Sequence, residues 1–207
     1  MSQYFSVHPQ NPQPRLIKRA AEIIRDGGVI VYPTDSCYAL GCHIGDKGAM
    51  QRIRTIREVD DRHHLTLVCR DLSELASYAR VDNRQFRLLK TATPGSYVFI
   101  LEATRELPKR LQHPKRRTIG LRIPDHPVVD ALLAELGEPI LSSTLLLPGD
   151  EQPETDAATI RVRLEHQVDL VLDGGSCGLE PSTVVDLTGP EPVVTRIGKG
   201  ALGPLGL

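Results

Sequence analysis

The chain contains no tryptophan, only two methionines, and few aromatics of any kind: three phenylalanines and five tyrosines in 207 residues. Its basic segments consequently carry no interleaved aromatic side chains, which argues against a module that stacks single-stranded bases. Net charge is almost absent as well, −1 with histidine neutral. Affinity for nucleic acid must then come from local clustering, because no global field supplies it. The four cysteines, Cys37, Cys42, Cys69 and Cys177, form neither a Cys-x-x-Cys pair nor a zinc-ligand spacing, and the chain opens without a charged-then-apolar leader. That pattern favours free thiols in a reducing cytoplasm. No apolar run approaches the length needed to span a bilayer, so no membrane partner is expected. The length predicts one large domain over residues 1–207, with a core from about 12 to 200.

What the chain does have is an alternation of helical and strand patterns. A helix is predicted over Arg15 to Asp26, with Pro14 at its first position, Leu16, Ala20, Ile23 and Ile24 on one face, and Gly27-Gly28 as its stop. A strand follows at Val29 to Tyr32, then a helix from Asp46 through Ile56. Further strands are predicted at Leu65 to Cys69, Tyr97 to Leu101, Thr118 to Ile123, Ile140 to Thr144, Leu170 to Leu172, Thr183 to Leu187 and Val193 to Arg196. Helices are predicted near Leu72 to Tyr78, Asn83 to Thr91, Pro127 to Leu136 and Ala157 to Glu165, and a flexible connection at Pro148 to Thr155. The class is α/β, and the closely spaced last strands suggest antiparallel pairing there. Asp125 reads as the N-cap of the helix that starts at Pro127.

The segment Pro33-Thr34-Asp35-Ser36-Cys37-Tyr38-Ala39-Leu40-Gly41 marks a candidate site. A β-branched run drives into a turn of hydroxyls and a carboxylate, at the sheet edge where open α/β folds hold ligands. Side chains that only cap local backbone explain the same residues. Four motifs then occur in order: PTDSCYALG, TIGLRIPDHPVV from Thr118 to Val129, PILSST from Pro139 to Thr144, and PSTVVDLTG from Pro181 to Gly189. Pro94-Gly95 precedes a strand, and Arg196 is followed by Gly198.

With these motifs the chain resembles the YrdC/YciO family, and its YciO branch most, from about Val29 to Lys199. Better-known members make threonylcarbamoyl-adenylate from threonine, bicarbonate and ATP for modification of a tRNA adenosine. The resemblance implies a single twisted mixed α/β sheet flanked by helices, with a concave basic surface suited to nucleotide and double-stranded RNA. It implies no tightly bound cofactor, ATP entering as substrate with Mg as counter-ion. The implied substrate and nucleotide contacts are Thr34, Arg57, Arg122, Thr144, Ser182 and Arg196.

Two departures from the synthase pattern stand out. A Lys-x-Arg pair that handles phosphates corresponds to Arg57-Glu58-Val59, so its second cation is missing, with Arg54 or Arg62 as nearby substitutes. A Ser-x-Asn element corresponds to Thr144-Leu145-Leu146, which keeps a hydroxyl and loses the amide. Preorganised donors are each worth a few kcal/mol to a transition state, so a diverged or slow synthase is expected, with a fully active one as the alternative.

The remaining residues carry competing readings. Arg122, alone in an apolar strand, needs a partner carboxylate or an anionic ligand. Thr34 is either a pocket hydroxyl or a backbone cap; Ser182 and Arg196 are either ligand contacts or strand-end residues. His63 and His64, read as strand residues, point to opposite faces and cannot chelate one ion, and Asp60-Asp61 is an ordinary charged loop, so no metal is expected. Cys37 is a reactive thiol or a small buried filler. Finally, Lys109, Arg110, Lys115, Arg116 and Arg117 form a basic run, with Arg105 just before it, able to neutralise the phosphates of structured or double-stranded RNA.

Overall fold

The computed structural model of the protein describes residues 1–60 and 62–206. Ten strands form one sheet: β1 (Gln3–Ser6), β2 (Ile30–Tyr32), β3 (Ala39–His43), β4 (Thr66–Val68), β5 (Tyr97–Glu102), β6 (Thr118–Arg122), β7 (Ile140–Thr144), β8 (Leu170–Asp173), β9 (Thr183–Asp186) and β10 (Val193–Arg196). Six helices accompany them: α1 (Pro14–Arg25), α2 (Lys47–Arg57), α3 (Leu72–Tyr78), α4 (Asn83–Ala92), α5 (Pro127–Leu136) and α6 (Ala157–Leu164). The strand order is β1-β8-β2-β3-β7-β4-β6-β5-β9-β10, a mixed sheet as the α/β reading expects.

The helices divide between the two faces. On one, Ile17, Ala20, Ala21 and Ile24 of α1 and Val128, Val129, Leu132 and Leu133 of α5 cover Ile30, Tyr32, Ile140, Leu170 and Leu172. On the other, Met50, Ile53 and Ile56 of α2, Leu75 of α3, Leu89 of α4 and Ile160 of α6 cover Val31, Leu40, Leu67, Phe99 and Leu121. Strands buried on both faces need apolar residues at successive positions, and Ile30-Val31-Tyr32 supplies them.

The structure departs from expectation at several points. β1 and β3 were not anticipated. β3 reads Ala-Leu-Gly-Cys-His without alternation, and Gly41 is there because a Cβ would lie 2.7 Å from the Tyr32 ring and 2.9 Å from Ile140. Antiparallel pairing is not confined to β9 and β10; it also joins β2 to β3, β3 to β7, β7 to β4 and β6 to β5. The N-cap of α5 is His126, whose Nδ1 accepts from Val128 N–H at 3.2 Å, whereas Asp125 donates its backbone N–H to Asp35 at 3.1 Å. His63 and His64 lie in the turn before β4, not on it, so the opposite-face argument does not apply to them; Asp61 falls outside the described residues. The connection at 148–155 is tied to α6, where the Asp150 carboxylate accepts two bonds from Arg163 at 2.8 and 3.0 Å.

Candidate functional site: a cationic, hydroxyl-lined cavity

The turn after β2 is built by its own side chains. Thr34 Oγ1 accepts from Ser36 N–H at 3.2 Å and donates to the Cys37 carbonyl at 2.6 Å, an arrangement that satisfies backbone groups in a buried turn. Thr34 thus takes the capping role and is not in the wall of the cavity that follows. Asp35 is held on several sides. Its carboxylate accepts from the Arg122 guanidinium and from Asp125 N–H, and its carbonyl accepts from Lys199 Nζ and from Ser96 Oγ. Arg122 therefore has the partner that its burial demands, a choice between residues 87 apart in sequence that no local pattern reveals.

Beyond this turn lies a cavity of about 280 Å³. Arg57 from the end of α2, Arg62 from the turn before β4, Arg122 from β6 and Arg196 from β10 supply its positive charge, and His63 and His64 of the same turn add imidazole rings. Hydroxyls come from Ser36, Thr66, Ser142, Ser143, Thr144 and Ser182. No aspartate or glutamate lines it among the described residues. Five of the six expected contacts, Arg57, Arg122, Thr144, Ser182 and Arg196, are brought together here from α2, β6, β7, the residue before β9, and β10. Neither Val59 nor Leu146 is in the wall; what Leu146 offers is its carbonyl, which accepts from Arg57 Nη1.

The polar groups are partly organised already. Ser36 Oγ lies 3.1 Å from Thr34 Oγ1 and 3.3 Å from both Ser182 Oγ and Arg122 Nη1, a chain of three hydroxyls ending on a guanidinium. Arg196 donates through Nε and Nη2 to the Ser182 carbonyl at 3.1 and 2.8 Å. Ser142 Oγ is shared between Tyr32 OH at 2.7 Å and the Leu40 carbonyl at 2.9 Å. The Nε atoms of Arg57 and Arg122 are buried and have no partner among the described residues. Apart from Arg122, which Asp35 answers, these cations have no carboxylate among the lining residues and act on each other. Desolvation first, then Arg196, lowers the pKa of Arg57; desolvation, then Arg57 and Arg196, lowers that of His63; desolvation, then His113, lowers that of His64. Burial raises the Cys37 thiol, so the sulfur in the wall is the neutral thiol at neutral pH.

In the sequence Arg62 reads only as a substitute cation and the two histidines only as metal ligands, while Asp35 and Ser36 belong to the candidate turn without individual roles. The available signal was adjacency, since Arg62-His63-His64 follows Arg57 closely and stands just before β4. Among the described residues no group of three or more histidines, cysteines and carboxylates is placed to hold a metal ion. The basic run lies on the outer connection between β5 and β6, where Lys109, Arg110, Lys115, Arg116 and Arg117 are all exposed. Arg110 donates to the Gly45 carbonyl at 2.6 Å, and Arg116 comes within 4.0 Å of Asp186. The loop reaches the cavity wall at His64, on which the His113 ring stacks at 4.8 Å and whose Nε2 is 2.9 Å from Thr118 Oγ1 at the start of β6.

Fold and site together define a mixed-sheet α/β protein with an electropositive, hydroxyl-lined cavity beside the β2 turn. The chain belongs to the Sua5/YciO/YrdC family, whose model, described as telomere recombination, matches residues 22–198. It is 58% identical over 204 residues to the uncharacterized protein YciO of Escherichia coli K12, covering 99% of both chains. It is 32% identical over 181 residues to the threonylcarbamoyl-AMP synthase of Chromobacterium violaceum, covering 86% of this chain and 92% of that one. The crystal structure of E. coli YciO matches at a TM-score of 0.96 over 99% of this chain and 100% of that one. P. abyssi Sua5 complexed with L-threonine shares the fold, with a TM-score of 0.87 at 24% identity over 95% of this chain and 58% of that one. No helix among the described residues is long and apolar enough to cross a membrane.

Proposed function

We propose that the protein binds a nucleoside triphosphate in the cavity and structured RNA on the adjoining basic loop, with threonylcarbamoyl-AMP synthase chemistry in weakened form. The observation that carries this reading is the wall itself: four arginines and two histidines converge on a small cavity lined by hydroxyls and, among the described residues, by no carboxylate. An anionic ligand answers that excess of donors, and a triphosphate is a ligand that bidentate guanidinium groups recognise. The likeness to a threonylcarbamoyl-AMP synthase supports this class of reaction; on this reading ATP, threonine and bicarbonate are the substrates and Mg is the counter-ion carried by ATP.

Support for weakened chemistry comes from how the arginines are already used. Arg57 donates to the Leu146 carbonyl, Arg122 to Asp35, and Arg196 to the Ser182 carbonyl. Donors committed in the resting protein must be released or shared before they stabilise charge on leaving pyrophosphate, and that reorganisation detracts from preorganised stabilisation. Support for RNA comes from the exposed cations of the 109–117 connection and from the His64–His113 stack, which places that connection at the cavity wall.

The protein is to be incubated with ATP, threonine and bicarbonate while pyrophosphate and the adenylate are followed. Adenylate formation well below about 1 s⁻¹, the lower end for ordinary enzymes, is the expected result. Turnover in the ordinary metabolic range establishes the active-synthase alternative instead. ATP that fails to bind at millimolar concentration overturns both.

A further inference from the structure

We propose that His63 is a proton-dependent contact for the oxyanion held in the cavity, so that filling the site with a phosphate group is coupled to protonation of this one histidine. The inference rests on the triphosphate reading above and specifies how that site is regulated.

His63 stands in the turn between α2 and β4 and lines the same wall as the arginines. Around it are Arg54 and Arg57 from α2, Arg122 from β6, Arg196 from β10, and Arg62, His64 and Asp60 from its own turn. The one carboxylate in that set among the described residues is Asp60, whose Oδ1 accepts from Arg62 N–H at 3.0 Å and whose charge opposes the effect of the arginines on the ring without outweighing desolvation and Arg57. The two histidines differ in what they are free to do. His64 is committed to Thr118 through Nε2 and stacked on His113. The His63 ring makes no side-chain hydrogen bond among the described residues, and the residue remains open to solvent, so a ligand entering from outside reaches it without displacing a protein partner.

Charge then decides its state. With the cavity empty, partial desolvation and the guanidinium groups of Arg57 and Arg196 hold the imidazole below its ordinary 6.5, so at pH 7 it is neutral. A phosphate dianion beside it reverses the balance, since an opposite charge within a few ångströms favours the protonated ring. Linkage fixes the sign: a group whose pKa rises on binding takes up a proton when the ligand binds, and affinity increases as pH falls through that window. The arginines keep their charge throughout, so a pH response near neutrality falls to the histidines of the wall, and of these His63 is the one whose ring has no side-chain partner among the described residues.

The test uses inorganic pyrophosphate and the full chain, titrated calorimetrically at pH 8, 7 and 6 in two buffers of different ionisation enthalpy. Protons taken up by pyrophosphate itself are common to every protein and cancel when variants are compared. Wild type is expected to take up a larger fraction of a proton than His63→Asn, and to gain up to about tenfold in affinity relative to that variant between pH 8 and pH 6, the equivalent of one pKa unit. His63→Lys is expected to lose the part of the pH dependence that separates wild type from His63→Asn, and to exceed wild type in affinity at pH 8 while matching it at pH 6. As a check on the unaltered chain, the His63 ring resonances should titrate at higher pH with pyrophosphate than without it. Equal proton uptake by wild type and His63→Asn, with an unmoved His63 titration, overturns the proposal while leaving the anion site intact. Absence of pyrophosphate binding at every pH overturns the proposal together with the triphosphate reading.

Discussion

Replacing Asp35 with alanine removes the carboxylate that answers the buried Arg122 guanidinium. Both side chains are nearly enclosed, 9% and 7% exposed, so water cannot take over the lost contact as it does at a surface pair. Asp35→Ala leaves Arg122 charged in a low-dielectric setting and also deprives Asp125 N–H of its acceptor. Breaking a buried pair from one side costs about 3–5 kcal/mol. At about 2–4 °C per kcal/mol for a chain of this size, the melting temperature should fall by about 6–20 °C. Circular dichroism melts and urea titrations measure both quantities. Two companions separate the pair from general damage at the turn. The double variant Asp35→Leu with Arg122→Met should recover much of the loss, because a matched apolar pair no longer buries an unanswered charge. Added pyrophosphate should raise the melting temperature of Asp35→Ala more than that of wild type, since Arg122 lines the cavity and gains a new counter-charge there. A loss below about 0.5 kcal/mol, the range of ordinary surface changes, refutes the account of the Asp35–Arg122 pair.

Other consequences follow from the same geometry. Desolvation lowers the pKa of His63, His64 and His126 below 6.5, so the unfolded chain binds more protons than the folded one as pH falls. Stability should therefore decline from pH 7 to pH 5, before the carboxylates titrate; thermal melts across that range check it, and a rise in stability toward pH 5 contradicts it. Gly41→Val places a branched side chain where a Cβ alone meets Tyr32 at 2.7 Å and Ile140 at 2.9 Å. Overpacking of about 1–3 kcal/mol or more should appear in urea unfolding, and a variant as stable as wild type contradicts the close packing of β3 on β2. Neutralising Lys115, Arg116 and Arg117 to glutamine should weaken duplex RNA binding and reduce the salt slope by roughly one per lost phosphate contact, measured by filter binding from low to high salt. An unchanged slope removes the loop from the RNA surface.

Sequence alone carried the α/β class, most element positions and the order of the motifs, because α1, α5 and the β2 run follow strong periodic patterns with clear stops at Gly27 and Gly137. β3 was illegible since its identity comes from pairing with β2 and β7 and not from its own alternation. Arg122 announced itself as a charge in an apolar strand, yet only the fold reveals that Asp35 answers it. Thr34, which the motif offers as a pocket hydroxyl or a backbone cap, bonds the Ser36 and Cys37 backbone and lies 3.1 Å from Ser36 Oγ in the cavity wall, contacts that only the fold reveals. The losses at Val59 and Leu146 were visible as letters. Their meaning depends on neighbours in space, where Arg62 adds a cation to the wall, His63 and His64 add neutral imidazoles, and the Leu146 carbonyl occupies Arg57.

The claim on which everything else depends is that the arginine-lined cavity is a phosphate site. A crystal structure of the protein soaked with a non-hydrolysable ATP analogue and Mg tests it most directly. The account predicts phosphate oxygens within hydrogen-bond reach of Arg57, Arg122 and Arg196, about 2.7–2.9 Å, with the His63 ring turned toward them. A nucleotide bound elsewhere, with its phosphates remote from these guanidinium groups, or a cavity that stays empty at saturating analogue, contradicts it.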